Sequence, residues 1–114
     1  MKTQSAKGKG RRLQQWVVQK LIETFNIHPE DIKSCSMGAG GEDVVMARAA
    51  REHFPFSVEC KNVEKLNVWE AYEQAKSNSN GYEPIVVMKK NHKKPLVVID
   101  AEYFIEFCKR LDNK

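Results

Sequence analysis

Apolar residues in the first quarter of the chain recur with the period of a helix. Leu13, Val17, Val18, Leu21 and Phe25 fall on one arc at about 100° per residue, which predicts an amphipathic helix from about Gly10 to Phe25. Asn26 ends it and Pro29 lies just beyond. Gln14 projects inside the apolar arc, and a polar side chain facing inward must find a partner or line a site. Glu23 falls on the opposite side, where water solvates it.

Beyond Pro29 the apolar runs shorten. Ile32 to Met37 reads as a first strand, followed by the turn Gly38-Ala39-Gly40-Gly41 and a second strand, Asp43 to Met46. Ala47 to His53 reads as a helical turn leading to Pro55, and Phe56 to Lys61 as a third strand. Asn67 is suited to cap a second helix reaching about Ser77, with Val68, Tyr72 and Ala75 on one side and Trp69 beside them. Gln74 lies about 200° from Tyr72 on this helix, and periodicity alone leaves its direction open. Asn78-Ser79-Asn80-Gly81 stops the helix.

Pro84 to Met88 and Pro95 to Ile99 are β-branched runs joined through Lys89-Lys90-Asn91-His92-Lys93-Lys94, the pattern of a hairpin with a basic tip. Asp100 caps a last helix, Ala101 to about Arg110, expected to bury Tyr103, Phe104, Phe107 and Leu111. The order α-β-β-β-α-β-β-α, with no internal repeat, predicts one α/β domain with a mixed central sheet flanked by helices.

Composition narrows the function. At 114 residues the chain has room for a single modest core. No apolar stretch approaches the roughly 20 residues of a membrane span, and Met1 to Arg12 lacks the hydrophobic segment of a secretory signal. Cys35, Cys60 and Cys108 are odd in number and widely spaced, so reduced thiols in a cytoplasmic compartment are expected. His28, His53 and His92 show no ligand spacing and read as surface or loop residues.

The charge is uneven. Lys2, Lys7, Lys9, Arg11 and Arg12 put five bases in the first twelve residues with no acid, whereas the remainder carries 14 bases against 15 acids. Residues 1–9 have nothing to bury and read as a disordered basic arm ahead of a domain over residues 10–114. Such an arm suits a polyanion, most simply nucleic acid; a merely solubilising tail is the alternative.

The chemistry concentrates in Phe56-Ser57-Val58-Glu59-Cys60-Lys61. In a strand, Glu59 and Lys61 project from the same face. Glu42-Asp43, at the start of the preceding strand, brings a further carboxylate within reach across the sheet. Two convergent carboxylates form a site for a hard divalent cation, and an adjacent lysine can orient water or stabilise charge developing on phosphate. An E-x-K on a strand is also a common solvated pair that contributes little.

These elements together resemble the PD-(D/E)XK nuclease superfamily, in particular its small Holliday-junction resolvase-like branch. The resemblance covers about residues 9–107. It rests on Lys9-Gly10 opening the first helix, Gly41-Glu42-Asp43, Glu59-Cys60-Lys61, Tyr72-Glu73-Gln74-Ala75 and the closing hairpin. The run Phe54 to Lys61 is also similar to phage-encoded enzymes of this type, which implies a bacterial or phage-infected cell.

The resemblance implies a restriction-endonuclease-like fold and a Mg²⁺- or Mn²⁺-dependent DNA endonuclease acting in recombination. Asp43 and Glu59 match the metal-binding acids, with the Cys60 carbonyl as a backbone ligand. Lys61 matches the motif lysine, and Gln74 a glutamine that helps orient the site. Resolvases of this type usually carry a glutamate on the first helix where this chain has Gln14. That departure puts metal affinity and metal number in doubt, and Glu42 is the candidate to compensate. Lys7, Lys9, Arg11, Arg12, Lys89, Lys90, Lys93 and Lys94 are expected to grip DNA phosphates. Branched DNA is the expected substrate and a homodimer the expected assembly, with Trp16, Ile22 and Trp69 as interface candidates. Nucleases for nicked or single-stranded DNA, or an inactive DNA-binding module of the same fold, are the competing expectations.

Overall fold

The computed structural model describes residues 6–35 and 41–113. Met37 and the Gly38-Ala39-Gly40 part of the predicted turn lie outside the described residues. The elements run α1 (Ala6–Phe25), a 3₁₀ turn (Pro29–Asp31), β1 (Ile32–Ser34), β2 (Val44–Met46), α2 (Arg48–His53), β3 (Phe56–Asn62), α3 (Val68–Asn78), β4 (Glu83–Lys89), β5 (Leu96–Val98) and α4 (Ala101–Asp112). This is an α/β domain in the predicted order, with the helical turn expected over Ala47 to His53 formed as α2.

The caps act as their side chains dictate. Asn67 Oδ1 accepts from Glu70 N–H at 3.1 Å to start α3, and Asp100 Oδ2 accepts from Tyr103 N–H at 2.8 Å to start α4. Helix α1 begins at Ala6, so Lys7 and Lys9 sit on its first turn rather than on a disordered arm.

In place of one central sheet, the strands form two ladders. β1 and β2 pair antiparallel, and β3-β4-β5 form a mixed sheet with β3 parallel to β4 and β4 antiparallel to β5. The ladders meet where Asp43 N–H donates to the Val58 carbonyl at 3.0 Å. Gly41, at φ +77°, turns the chain into this junction, a conformation that costs an L-residue with a side chain. A Cβ there would touch nothing, so backbone angle alone selects glycine.

The parallel pair needs a crossover, which α3 supplies. Both faces of β3 are thereby covered. Phe56, Val58 and Cys60 pack with Ile85 and Val87 against Leu13, Val17 and Leu21 of α1. On the other face Val86 packs under Ala71 and Ala75 of α3, whose small side chains let the helix approach closely. Helix α1 runs antiparallel to β3: Lys9 carbonyl accepts from Asn62 Nδ2 at 3.2 Å at one end, and Phe25 meets Phe54 at the other.

Helix α4 departs from its predicted burial. Tyr103 and Phe107 pack against Phe56, but Phe104 and Leu111 are exposed and the helix has no buried residue. Among the interface candidates, Trp16 and Trp69 are exposed while Ile22 is half-buried against the core. No helix of the described residues is long and apolar enough to cross a membrane.

Candidate active site

Three hydrogen bonds fix Asp43. Its carbonyl accepts from Cys35 N–H at 2.8 Å, its N–H donates to Val58, and its Oδ2 accepts from Cys60 N–H at 2.7 Å. The carboxylate is therefore pinned to the free edge of β3. In a strand the N–H and C=O of one residue point to the same side, so the Cys60 carbonyl looks toward that edge as well.

Glu59 and Lys61 leave β3 on its α3 face, as alternation requires. Lys61 Nζ lies 3.7 Å from Glu59 Oε2, and Asn78 Nδ2 donates to Glu59 Oε1 at 3.3 Å. Glu59 is only 4% exposed although it is an acid. Burial pushes its carboxyl above the ordinary range and the nearby Asp43 charge adds to this, while Asn78 and Lys61 pull the other way. Asp43 is raised too, by burial, against the opposing effects of the Cys60 N–H bond and Lys61. Both carboxyls are thus desolvated, and the Asp43 charge opposes the ionisation of Glu59.

The donors are oxygens: two carboxylates and one backbone carbonyl. Such a set fits Mg²⁺ or Mn²⁺, which accept one or two carboxylates and keep several waters. The Cys60 thiol turns into the α1-side core, and burial pushes its pKa far up, with Asp43 and Glu59 adding to the rise. It does not serve as a thiolate ligand. Among the described residues no cluster of three or more His, Cys, Asp or Glu side chains is arranged to hold a metal.

Several expected residues are placed elsewhere. Glu42 is no accessory to the pair. Its Oε1 lies 2.6 Å from Arg51 Nη2, with both side chains below 10% exposed. Arg51 also donates to the Phe56 carbonyl at 2.9 Å and lies over the Tyr82 ring at 4.2 Å. Glu42 is thus consumed in a structural pair, and its Oε2 is buried with no hydrogen-bond partner among the described residues.

Gln14 is buried, at 3% exposure, as its place in the apolar arc predicts. Five residues on from Lys9, it is about 7.5 Å along α1 and so level with about Cys60 on the antiparallel β3. It belongs to the α1 face of the sheet, whereas Glu59 belongs to the α3 face. Gln74 is exposed, and among the described residues no hydrogen bond joins it to Asp43, Glu59 or Lys61. Asn78, one turn further along α3, reaches Glu59 instead. Its spacing from the buried Ala71 and Ala75, at i+7 and i+3, is the signal in the sequence that marks it as inward-facing.

The two basic groups, remote in sequence, converge. Glu64 Oε2 accepts from Asn91 N–H of the hairpin tip at 2.8 Å and lies 3.9 Å from Lys9 Nζ. The first turns of α1, with Lys7, Lys9, Arg11 and Arg12, therefore flank the C-terminal end of β3 together with the hairpin. Lys89, Lys90, Lys93 and Lys94 rim a cleft of about 440 Å³ floored by Val63, Leu66 and Met88. Met88 is the register partner of Lys61.

Comparison of the chain with protein families, with curated proteins and with solved structures finds no match.

Proposed function

We propose that this chain is a Mg²⁺- or Mn²⁺-dependent DNA endonuclease of the PD-(D/E)XK type, acting on branched DNA as a homodimer. The observation that carries it is the junction of Asp43 with β3. One hydrogen bond from Cys60 N–H holds the aspartate at the strand edge, beside the strand that presents Glu59 and Lys61 together.

In this reading Asp43, Glu59 and the Cys60 carbonyl would hold the cation. When bound, the cation polarises a phosphate and lowers the pKa of a water. Asn78 keeps Glu59 oriented through its amide. Lys61 supplies positive charge where the transition state gains negative charge. Gln14 supplies no negative charge and belongs to the α1 face, so the two carboxylates would carry the charge that holds the cation.

The basic surface supports a polyanionic substrate. Helix α1 opens with Lys7 and Lys9 and no acid in its first turn, which sets positive charge against the positive end of the helix dipole. Phosphates at that end relieve the conflict. The lysine-rimmed cleft at the hairpin extends the positive surface past Lys61.

The test is cleavage of a labelled four-way junction against linear duplex and single-stranded controls, in Mg²⁺, Mn²⁺ and EDTA, with Glu59→Gln in parallel. Paired symmetric nicks on the junction, lost in EDTA and in the variant, are the expected result. Metal-dependent cutting of other substrates would keep the chemistry and discard the junction. Tight, salt-sensitive binding without cutting would replace the nuclease with an inactive binder.

A further inference from the structure

The cleft where β3 and β4 end combines two properties, and a phosphate clamp needs only one of them. Its rim is cationic: Lys90, Lys93 and Lys94 border it, and none of the three forms an ion pair among the described residues. The acid in its lining, Glu64, is already engaged by Asn91 N–H and Lys9. Its floor, by contrast, is apolar and open. Leu66 and Met88 are only partly buried, and Leu96 is 53% exposed. Contacts between lysine and phosphate gain nothing from exposed leucine and methionine, so the floor calls for an apolar body carried with the charge.

Strand register positions that floor. Lys61 pairs with Met88 across β3 and β4, and Met88 pairs with Leu96 across β4 and β5. Register partners project from one face of a sheet, so the three side chains form a row, about 4.8 Å from strand to strand. Met88 packs with Val86 and the small residues of α3, which fixes the row on the face that also presents Glu59. The floor therefore begins one strand away from Lys61.

Shape and charge together select the occupant. A volume of about 440 Å³ is that of a small-molecule site, not of a groove for a double helix. A duplex also turns its base faces inward and offers only phosphates and base edges, which leaves an apolar floor unused. An alkyl anion would use the floor but needs one cation at its end, not three along a rim. An unpaired nucleotide uses both parts, with a flat base face for the floor and a phosphate on either side for the lysines.

We propose that this cleft receives one unpaired nucleotide of a DNA strand, its base on Leu66, Met88 and Leu96 and its flanking phosphates on Lys90, Lys93 and Lys94. The consequence for chemistry rests on the nuclease reading: a nucleotide held there adjoins the phosphate at Lys61, so cutting is directed to strands with an unpaired base beside the cut.

The experiment is binding of the full chain, in EDTA, to a short fluorescent oligothymidylate and to an abasic strand of equal length and charge. The oligothymidylate is expected to bind about tenfold more tightly. Its bases should also shift the Met88 ε-methyl resonance, assigned with Met88→Leu, through their ring currents, and the abasic strand should not. Leu96→Thr, at an exposed strand position that suits a β-branched residue, keeps the wild-type thermal transition and abasic affinity but loses most of the preference. Lys93→Gln with Lys94→Gln weakens binding of both strands alike. Equal affinity for the two strands, or an unmoved Met88 methyl, would overturn the proposal. So would dodecyl phosphate displacing the oligothymidylate more readily than thymidine monophosphate does, since the cleft would then suit an alkyl anion. Cleavage of the four-way junction is scored separately, in Mg²⁺ and Mn²⁺. Metal-dependent cutting without a base preference defeats the cleft proposal alone. A base preference without cutting upholds the cleft and defeats the nuclease reading.

Discussion

Replacing Arg51 by methionine removes the cation from a pair sealed inside the domain. Arg51 is 7% exposed and Glu42 8%, with 2.6 Å between Nη2 and Oε1. The same guanidinium bonds the Phe56 carbonyl and lies on Tyr82. One Glu42 oxygen already has no partner among the described residues, so the substitution leaves a buried carboxylate without its one charged partner there. Breaking one side of a buried pair costs about 3–5 kcal/mol. Against a domain stability of about 5–15 kcal/mol, that is a large fraction. For a domain of this size each kcal/mol moves the melting temperature by about 3–6 °C, so Arg51→Met should lower it by roughly 9–30 °C.

The assay is thermal unfolding followed by circular dichroism at neutral pH, with Glu42→Leu and the double variant measured alongside. The double variant leaves no unpaired charge, and it should recover about half of the loss or more. A fall of under about 3 °C in Arg51→Met would refute the buried-pair account. So would a double variant whose loss equals the sum of the two singles. The consequence reaches the site, because Glu42 adjoins Asp43 and Arg51 ties that segment to the start of β3.

Asn78→Ala removes a hydrogen bond to Glu59 without touching either basic group; it should lower turnover about tenfold at unchanged DNA affinity, separable by cleavage rates and binding isotherms. Lys93→Gln with Lys94→Gln should flatten the dependence of log binding constant on log salt by about 2, and an unchanged slope would show that the hairpin tip does not meet phosphates. Asp43, Glu59 and Glu83 all have raised carboxyl pKa values, so the folded protein holds protons that the unfolded chain releases. Metal-free stability should therefore fall as pH rises from the ordinary carboxylate range through the raised values. Mn²⁺ should raise the melting temperature more at pH 7.5 than at pH 5, and Glu59→Gln should abolish that difference.

What was legible in the sequence is what local chemistry decides. Leu13, Val17 and Leu21 declare a helix face, and Gln14 within it is buried as its angle requires. Asn67 and Asp100 cap because a short side-chain oxygen precedes a helical run. Glu59 and Lys61 share a face because strands alternate. The rest depends on partners distant in sequence. Nothing local tells that Arg51, in an alanine- and arginine-rich stretch, will be buried on Glu42. Nor does any local signal bring Lys9 and Asn91 together at Glu64. Phe104 and Leu111 were expected to be buried from amphipathicity, which reports an apolar face but not whether the same chain covers it. The departure from one central sheet has its origin at Gly41 and Asp43, where a turn and a single backbone bond replace a continuing ladder.

Strand β3 shows how one segment carries core and chemistry together. A strand covered on both faces usually reads as an unbroken apolar run, and Phe56 to Cys60 are all buried here. Glu59 stands in the middle of that run, where leucine or valine would pack at no electrostatic cost. Its compensation is incomplete: one amide, one lysine at 3.7 Å, and a second carboxylate that opposes it. Apolar packing therefore does not account for this residue. The position of Asp43 is equally hard to explain by stability, since three hydrogen bonds are used to hold a raised carboxyl beside another. On the proposed reading a divalent cation would remove both costs at once, because it would turn the repulsion between two desolvated carboxylates into shared attraction. On the proposed reading that pair has a use, since two carboxylates without a cation would repel a phosphate. The proposed metal-dependent reading thus gives the buried Glu59 beside Asp43 a role that packing does not.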